Sequence, residues 1–339
     1  MIDAPASRPH SRAEGRRVLV TGAGGFIGGH LAARLVQAGA SVRAYVRYNS
    51  RNDRGTLDWH DPAVVSEMEV VLGDLRDVES VARAVRGVDW VFHLGALIAI
   101  PYSYLNARDF VETNVVGTLN VAQASLDAQV EHLVHTSTSE VYGTAQTVPI
   151  TEEHPLEAQS PYSATKIGAD KLVDSFYRSH GLAATVLRPF NTYGPHQSAR
   201  AILPTIITQA LAGDRLRLGS LTPRRDLTYV DDTVAGFLAA AGTPAAVGRT
   251  LQLGTGESVA VGDLVEMVGA VLGRELVVET EEARVRPELS EVQVLVSSPA
   301  LAREVTGWEP SVSLREGISR TIEWIRANES RFKVGQYVI

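Results

Sequence analysis

The chain of 339 residues contains no cysteine. Disulfide bonds and cysteine-ligated zinc are therefore excluded, and the composition fits an intracellular, cytoplasmic enzyme. Long apolar runs are also missing: the longest, VDWVFHLGALIAI over residues 88–100, is too short to span a bilayer. The first 17 residues lack the apolar segment of a secretory signal, and we predict a disordered tail over 1–17. We expect no contact with a membrane.

Positive charge is in the minority, because the formal net charge is −7 at pH 7. The chain therefore has no electrostatic basis for binding nucleic acid. Hydrophobic residues make up 45% of the chain, which is enough to bury a sizeable core. The length predicts about two domains of roughly 150 residues each.

Between residues 18 and 190, short β-branched runs alternate with helical patterns. Strands are predicted at RRVLVTG, SVRAYVR, EVVLGD, VDWVFHLG, EHLVHTS and LAATVLRP. This alternation is typical of an α/β fold, here a Rossmann-type, doubly wound parallel sheet with helices on both faces. After Phe190 helices dominate, so we predict a smaller, mainly helical substrate domain over 191–339. A return segment at about 222–255 is expected to rejoin the first domain.

The segment VLVTGAGGFIGGHL places Gly22, Gly25 and Gly28 between the first predicted strand and its helix. Glycines at this spacing allow a tight turn, and backbone N–H groups at the helix start can then approach a pyrophosphate. Because a strand precedes the loop and a helix follows it, the pattern predicts a dinucleotide site.

The end of the second strand, AYVRYNSRNDR, bears on the choice between NAD and NADP. An acidic residue usually holds NAD there, whereas this chain has Arg47, which can pair with the 2′-phosphate of NADP. A solvated basic loop is the alternative, so the cofactor is NAD or NADP, with a slight preference for NADP. In GDLRD, Asp74 can accept from the adenine amino group or act as a helix cap.

The segment SPYSATK contains Tyr162 and Lys166, which a helix places on one face. An ammonium beside the phenol is expected to lower the pKa of Tyr162. The phenolate could then take the proton of a sugar hydroxyl beside a nicotinamide ring. Upstream, the strand end TSTSEVYG adds hydroxyls and one carboxylate, either as a capped turn or as a row of catalytic groups.

Four motifs in this order resemble those of the extended short-chain dehydrogenase/reductases that act on nucleotide sugars: the glycine loop, HTSTSEVYG, SPYSATK and RPFNTYGP. The resemblance runs from about Val18 to the end of the chain. It implies that Thr138 is the hydroxyl partner of the Tyr162 and Lys166 pair. It also implies that the cofactor can stay bound, because the hydride is returned to the product.

The resemblance further implies binding residues. The cofactor would contact loop and strand-end residues, namely Gly22, Gly25, Phe26, Ile27, Gly28, Arg47, Asp74, Leu75, Leu94, Ala96, Tyr162, Lys166 and Pro189. The nucleotide-sugar substrate would contact Ser139, Asn191, Arg225 and Arg286. Arginine suits a phosphate because its guanidinium can bind two oxygens at once. For each arginine, a surface salt bridge is the alternative.

Glu140 distinguishes the activities of this family. A 4-epimerase needs the hydroxyl, Tyr and Lys, whereas a 4,6-dehydratase must also remove the carbon 5 proton and expel the 6-hydroxyl. In an extended backbone Glu140 and Thr138 would point to the same side, which supplies a base. Glucose-type dehydratases usually carry an Asp where Ser139 stands, so Glu140 would serve as both base and acid. We therefore predict a 4,6-dehydratase, similar to GDP-mannose-type enzymes or to those of legionaminic acid routes.

Other activities stay open, namely 4-epimerase, UDP-glucuronate-type decarboxylase and 5,6-dehydratase. A dinucleotide-binding sensor without turnover is disfavoured because such proteins commonly lack the Tyr and Lys pair. In this family two long helices pair across a two-fold axis, and here they carry apolar residues beyond the core-facing stripe, which predicts a homodimer. Examples are Val115, Leu119, Leu172 and Phe176.

The histidines give little indication of a metal site. His93, His132, His135 and His154 show no metal-ligand spacing with nearby carboxylates, and we predict no metal. His196 follows NTYGP directly and could reach a substrate phosphate, or it could be an ordinary loop residue.

Overall fold

A computed structural model describes residues 12–284 and 287–332. Its strands are, in chain order, β1 Arg17–Thr21, β2 Ser41–Arg47, β3 Glu69–Gly73, β4 Trp90–His93, β5 His132–Thr136, β6 Ala184–Pro189, β7 Asn191–Tyr193, β8 Arg215–Leu218, β9 Arg224–Arg225, β10 Leu227–Tyr229, β11 Thr250–Leu253, β12 Val259–Ala260, β13 Val277–Thr280 and β14 Val294–Leu295.

The α-helices are α1 Phe26–Gln37, α2 Pro62–Ser66, α3 Val78–Val85, α4 Ile100–Leu105, α5 Ala107–Phe110, α6 Gly117–Asp127, α7 Pro161–His180, α8 Ile202–Ala212, α9 Val230–Ala241, α10 Val261–Leu272, α11 Ala300–Thr306 and α12 Leu314–Ala327. A π-helical segment, Val111–Val116, joins α5 to α6. Short 3₁₀ helices include Gly55–Trp59 and Ser139–Tyr142.

Seven strands form one parallel sheet in the order β11–β6–β5–β4–β1–β2–β3. The Rossmann-type fold predicted from the sequence is confirmed. The chain crosses over after β3 to place β4 on the other side of β1, which creates the crevice where such sheets bind ligands. The ends of β1 to β6 therefore meet at one edge.

The two faces of the sheet are covered by different helices, as the alternation of side chains along a strand requires. Val18 and Val20 of β1 pack into a core with Leu31 of α1. Leu19 points to the opposite face and packs into a core with Val121 of α6 and other apolar residues of α3 and α7. Both faces of the sheet are covered by helices and buried, which explains why most residues of its strands are apolar.

The chain after Phe190 contributes to both parts of the molecule. β11 pairs with β6 in the large sheet, where Leu251 lies opposite Leu187. Three small sheets surround it, formed by β7 with β10, β8 with β13, and β9 with β12 and β14. The buried Asp226 holds this region together, since its carboxylate accepts from Thr255 N at 2.8 Å and from Ser297 Oγ at 2.6 Å. The boundary at residue 191 stays a prediction.

The predicted tail over 1–17 lies partly outside the described residues, which begin at Arg12. The described part is ordered. Ala13 is 1% exposed, and the N–H of Gly15 donates to the carbonyl of Gly39 at 2.9 Å. Packing therefore begins before the predicted boundary at Val18. Within 12–284 and 287–332, no helix is both long enough and apolar enough to cross a bilayer.

Candidate active site

The glycine loop forms a close-packed turn between β1 and α1. Gly22 adopts a φ of +72°, and a Cβ there would lie 2.7 Å from Gly95 N. A Cβ on Gly28 would overlap the carbonyl of Gly22. Gly25 precedes α1 as its N-cap, and the first turn of any α-helix offers N–H groups without intrahelical acceptors. These residues fit the pyrophosphate of NAD.

The other predicted cofactor contacts lie at the same edge of the sheet, because each follows a parallel strand. Phe26 and Ile27 begin α1, and Leu75 is buried against Gly95. The rest stand at or just past strand ends: Arg47 at the end of β2, Asp74 and Leu75 after β3, Leu94 and Ala96 after β4, and Pro189 at the end of β6. The fold therefore brings the predicted set to one place.

Two charged residues lie at the predicted adenine end. Arg47 is exposed at the end of β2. Asp74 accepts from the backbone N–H of Arg76 at 2.9 Å and from its guanidinium at 2.6 Å. The hydrogen bond with Arg76 holds the pKa of the Asp74 carboxyl below its usual range. Asp77, not Asp74, caps α3, since it accepts from Glu79 N and Ser80 N.

The backbone after β5 is not extended as predicted. Ser139–Tyr142 forms a 3₁₀ helix with Thr138 as its N-cap, and the N–H of Glu140 donates to Thr138 Oγ1 at 3.2 Å. The prediction was wrong because the hydroxyl offers the backbone a local acceptor, which favours a turn. Thr138 thus caps the turn, and its hydroxyl also reaches the phenol of Tyr162.

Tyr162 lies in the first turn of α7, buried beside Thr138 and Phe110. Burial raises the pKa of its phenol, the negative charge of Glu140 raises it further, and the hydrogen bond with Thr138 opposes both. The direction is opposite to the predicted one. Burial outweighs the expected influence of Lys166, whose ammonium donates to the carbonyl of Thr136 at 2.7 Å.

Lys166 is buried one turn further along α7. Burial lowers the pKa of its ammonium from 10.5 to about 8, while the neighbouring carboxylate of Asp170 opposes the decrease. The charged form is therefore retained at neutral pH because a carboxylate and a carbonyl lie next to it. A lysine held in this way can supply positive charge inside a dry site.

A buried polar network supports Lys166, and it was not predicted from the sequence. Asp170 accepts from Ser137 Oγ at 2.7 Å and from Arg188 Nη2 at 3.0 Å. Arg188 Nη1 in turn donates to the hydroxyl of Tyr142 at 2.9 Å. One signal could have indicated Asp170: it stands four residues after Lys166, on the same face of the helix.

A second unpredicted residue, Asn114, lies in the π-helical segment. Its side chain accepts from Leu97 N at 2.8 Å and donates to Leu97 O at 2.9 Å. It also donates to Thr165 Oγ1 at 3.0 Å, next to Lys166 in the chain. π-helical segments often occur at functional sites because they re-aim side chains. Here Asn114 connects the segment after β4 to α7.

Three of the four predicted substrate residues lie within the described ranges. Ser139 is buried in the 3₁₀ turn, and the side-chain oxygen of Asn191 is buried without a hydrogen-bond partner among the described residues. A buried amide oxygen of this kind can accept from a ligand. Arg225 Nη2 donates to Glu291 Oε1 at 3.0 Å. Arg286 lies outside the described residues.

Comparison with known proteins agrees with this geometry. The family model for GDP-mannose 4,6 dehydratase matches residues 19–321. The dTDP-glucose 4,6-dehydratase of Streptomyces griseus is 34% identical over 324 residues, covering 92% of this chain and 95% of that protein. The UDP-glucose 4-epimerase of Mycolicibacterium smegmatis is 32% identical over 316 residues, covering 91% and 98% respectively.

A solved structure is similar as well. The dTDP-glucose 4,6-dehydratase of Streptomyces venezuelae, solved with NAD bound, superposes with a TM-score of 0.84 at 30% identity and covers 94% of this chain and 99% of that one. The family predicted from the four motifs is thus confirmed. The chain belongs to the GDP-mannose 4,6-dehydratase family of NAD-dependent nucleotide-sugar dehydratases and epimerases.

Proposed function

We propose that this member of the family is a nucleotide-sugar 4,6-dehydratase that uses NAD. The observation that carries the proposal is the position of Glu140. Its carboxylate lies in the turn capped by Thr138 and close enough to Tyr162 for its charge to raise the pKa of the phenol. A base thus stands beside the hydroxyl pair that oxidises carbon 4, where the proton on carbon 5 must be removed.

In the first step, Thr138 and Tyr162 bind the 4-hydroxyl of the sugar, and Tyr162 takes its proton. A bound NAD would supply the hydride acceptor for carbon 4 and later the hydride donor to carbon 6, while carbon 5 takes up a proton from solvent. Lys166 supplies the positive charge that favours the phenolate, and Asp170 keeps that ammonium protonated against the effect of burial. The result is a 4-keto sugar.

In the second step, Glu140 removes the proton from carbon 5. The neighbouring ketone makes this C–H bond acidic enough for a positioned carboxylate. The electron pair forms the double bond between carbons 5 and 6 as the 6-hydroxyl leaves, and Glu140 returns its proton to the departing oxygen as water. Because Ser139 has no carboxyl group, Glu140 is the one carboxylate in the turn Ser139–Tyr142. Glu140 therefore serves both as the base and as the acid.

We infer the substrate class from two residues predicted to bind the substrate, Asn191 and Arg225. Asn191 offers a buried amide oxygen, and Arg225 offers a guanidinium that Glu291 holds in place. We assign the diphosphate to Arg225 together with Arg286 because guanidinium groups bind phosphate oxygens in pairs. The base and the sugar are to be found by incubating the protein with a panel of UDP-, GDP-, CDP- and dTDP-sugars. Mass spectrometry should show loss of one water from the substrate.

The decisive experiment is Glu140→Gln, which keeps the size of the side chain and removes the base. General acid–base groups commonly contribute about a hundred- to ten-thousandfold, so water loss should fall by that factor. Oxidation at carbon 4 should survive, so reduced cofactor should accumulate and absorb as a dihydronicotinamide. Exchange of deuterium from solvent into carbon 5 should also fall.

Two variants serve as controls for this experiment. Tyr162→Phe should produce no reduced cofactor, because the first oxidation needs the phenol. Glu157→Gln changes an exposed glutamate nearby and should match the parent. Near-parent turnover by Glu140→Gln would show that the Glu140 carboxylate is not the base and that Glu140 is only a residue of the turn that Thr138 caps. The 4-epimerase activity, which the relative from Mycolicibacterium smegmatis supports, would then be the better assignment.

We also propose a homodimer formed through α5, α6 and α7. Val116 and Leu119 are 40% and 38% exposed along this surface, and Val111 is exposed beside them. Phe176, which is predicted from the sequence to lie on the same surface, instead packs inside the protomer's own core. Light scattering at micromolar concentration should report twice the protomer mass. A variant with Leu119→Glu and Val116→Glu should be monomeric, and a monomeric parent would contradict the proposal.

A further inference from the structure

Three histidines from distant parts of the chain meet beside α1. His30 lies on α1, His60 follows the 3₁₀ helix Gly55–Trp59, and His196 follows the strand β7. One ring nitrogen from each lies within 4.8 Å of the other two. The ring centroids are 4.3 to 4.9 Å apart. We call His30, His60 and His196 the histidine cluster.

The ring nitrogens of the cluster have lone pairs to offer. His30 Nε2 lies 3.0 Å from the carbonyl of Pro195, which can only accept, so this nitrogen is protonated and Nδ1 is not. His60 Nε2 and His196 Nδ1 are buried and have no hydrogen-bond partner within the described ranges. Buried polar nitrogens are costly to leave unpaired. A ligand that accepts their lone pairs would remove that cost.

The surroundings of the cluster are aromatic. Trp324 packs on His196 with ring centroids 4.6 Å apart, and Trp59 stacks on Trp324 at 5.7 Å. His196 is buried, and its φ of +68° is rare for a residue with a side chain. A backbone held in such a conformation often marks a functional position, because the surrounding structure must compensate its strain.

Burial disfavours the charged form of all three rings. Burial and the neighbouring rings lower the pKa of His60 to about 4 and that of His196 to about 2. Arg331 contributes to the decrease at His196, and Asp231 opposes it at His30. A neutral imidazole is the form that binds a metal.

We propose that His30, His60 and His196 bind one divalent transition-metal ion of the zinc class. Zinc takes imidazole nitrogens at about 2.0–2.1 Å, and three protein ligands with a water complete its tetrahedral shell. The carbonyl of Pro195 then acts as the outer partner that fixes the His30 tautomer, as carbonyls do at many metal-bound histidines. Imidazole ligands without thiolate also suit copper, nickel and cobalt.

The metal would act as a clamp on the cofactor loop. The segment that carries His60 covers the glycine loop, since the N–H of Thr56 donates to the carbonyl of Gly24 at 2.9 Å. A metal held by all three rings would link this segment to α1 and to the loop after β7. The inference does not depend on which reaction the enzyme catalyses.

The test uses the full chain without an affinity tag, freed of metal by a chelator and dialysed. Titration with Co²⁺ should give intense visible absorption typical of a tetrahedral nitrogen site, with a stoichiometry of one per chain. Zn²⁺ should displace the cobalt and raise the thermal midpoint of the parent. This measurement needs no variant, so it holds even if a variant folds poorly.

The variants His60→Gln and His196→Gln should each weaken Zn²⁺ binding at least a hundredfold, because even outer partners of metal ligands contribute tenfold to a hundredfold. His180→Gln, which changes an exposed histidine on α7, should bind like the parent. Weak cobalt absorption of octahedral type, no thermal shift with Zn²⁺, or equal binding by the parent and the cluster variants would each overturn the proposal.

Discussion

Two aspartate–arginine pairs at the cofactor edge differ in burial and thereby in what they do. Asp170 and Arg188 lie 3.0 Å apart with side chains 3% and 5% exposed, whereas Asp74 and Arg76 lie 2.6 Å apart with side chains 36% and 44% exposed. The shorter pair is the weaker contributor, since solvent screens it. The distance between the charged atoms therefore does not predict how much stability is lost when one partner is removed. That loss depends on whether the remaining charge is buried.

The most severe test of this comparison is Asp170→Ala. The change leaves the buried guanidinium of Arg188 without its carboxylate, which should lower the free energy of unfolding by about 3–5 kcal/mol. Asp74→Ala removes the exposed counterpart and should lower it by less than about 1 kcal/mol. Urea denaturation followed by circular dichroism measures both. Equal losses would show that burial does not separate the two pairs.

The pH dependence of Asp170→Ala adds a second measurement. Burial raises the pKa of Asp170, but hydrogen bonding to His135 and the charge of Arg188 hold it below its ordinary value of 3.8. A carboxyl with a lowered folded-state pKa contributes stability fully above its unfolded pKa and loses it as pH falls through the folded one. The stability contributed by the Asp170 carboxylate itself should thus be retained down to about pH 5 and shrink only in stronger acid, whereas near pH 8 the difference from the parent also changes because Asp170 holds up the pKa of Lys166.

Lys166→Met sharpens the comparison by removing a charge that burial disfavours. A pKa lowered from 10.5 to about 8 means that the ammonium costs about 3 kcal/mol at neutral pH, at about 1.4 kcal/mol per unit. Turnover should fall about a hundred- to ten-thousandfold. The thermal midpoint should stay unchanged or rise, because Asp170 keeps Arg188 as its partner. A large drop in the midpoint would make Lys166 a structural residue.

Tyr142→Phe tests a neutral member of the buried network. Its hydroxyl accepts from Arg188 Nη1 at 2.9 Å and from Gln252 Nε2 at 2.7 Å. Removing it leaves two buried donors unpaired, which should cost about 1–3 kcal/mol of unfolding free energy. Tyr177→Phe changes a more exposed tyrosine on α7 and is the matched control. If Tyr142→Phe lowers the free energy of unfolding by less than Tyr177→Phe does, the hydroxyl of Tyr142 does not contribute to the stability of the network.

The smallest effect is expected at the exposed end, at Arg47. Its guanidinium is exposed and can pair with a 2′-phosphate, so this NAD-using enzyme should also bind NADP, with an affinity less than tenfold below that for NAD. Arg47→Ser should weaken NADP about tenfold, or about 1.4 kcal/mol, and leave NAD unchanged. Calorimetric titration decides, and a tenfold preference of the parent for NAD would contradict the expectation.

Local pattern was sufficient for most of the fold. Strand SVRAYVR was predicted and observed as β2 Ser41–Arg47, and the helix predicted to carry Tyr162 and Lys166 is observed as α7 Pro161–His180. These elements follow from periodicity and from residues that stop a helix, such as Gly181 with its φ of +71°. The predictions that failed, the extended backbone at Glu140 and the outward Phe176, depend on contacts that a local pattern does not contain.

The amino-acid sequence by itself determined the glycine loop, the proposed catalytic pair Tyr162 and Lys166, and the family, because each depends on residues close together within a motif. Tertiary structure alone decided the pKa shifts of those residues, since burial is the largest cause of both and the sequence does not record burial. It alone also assembled the histidine cluster, whose members are separated by 30 and 136 positions. These contacts form only when the fold brings three distant segments together, and the spacing of the histidines in the sequence does not predict this.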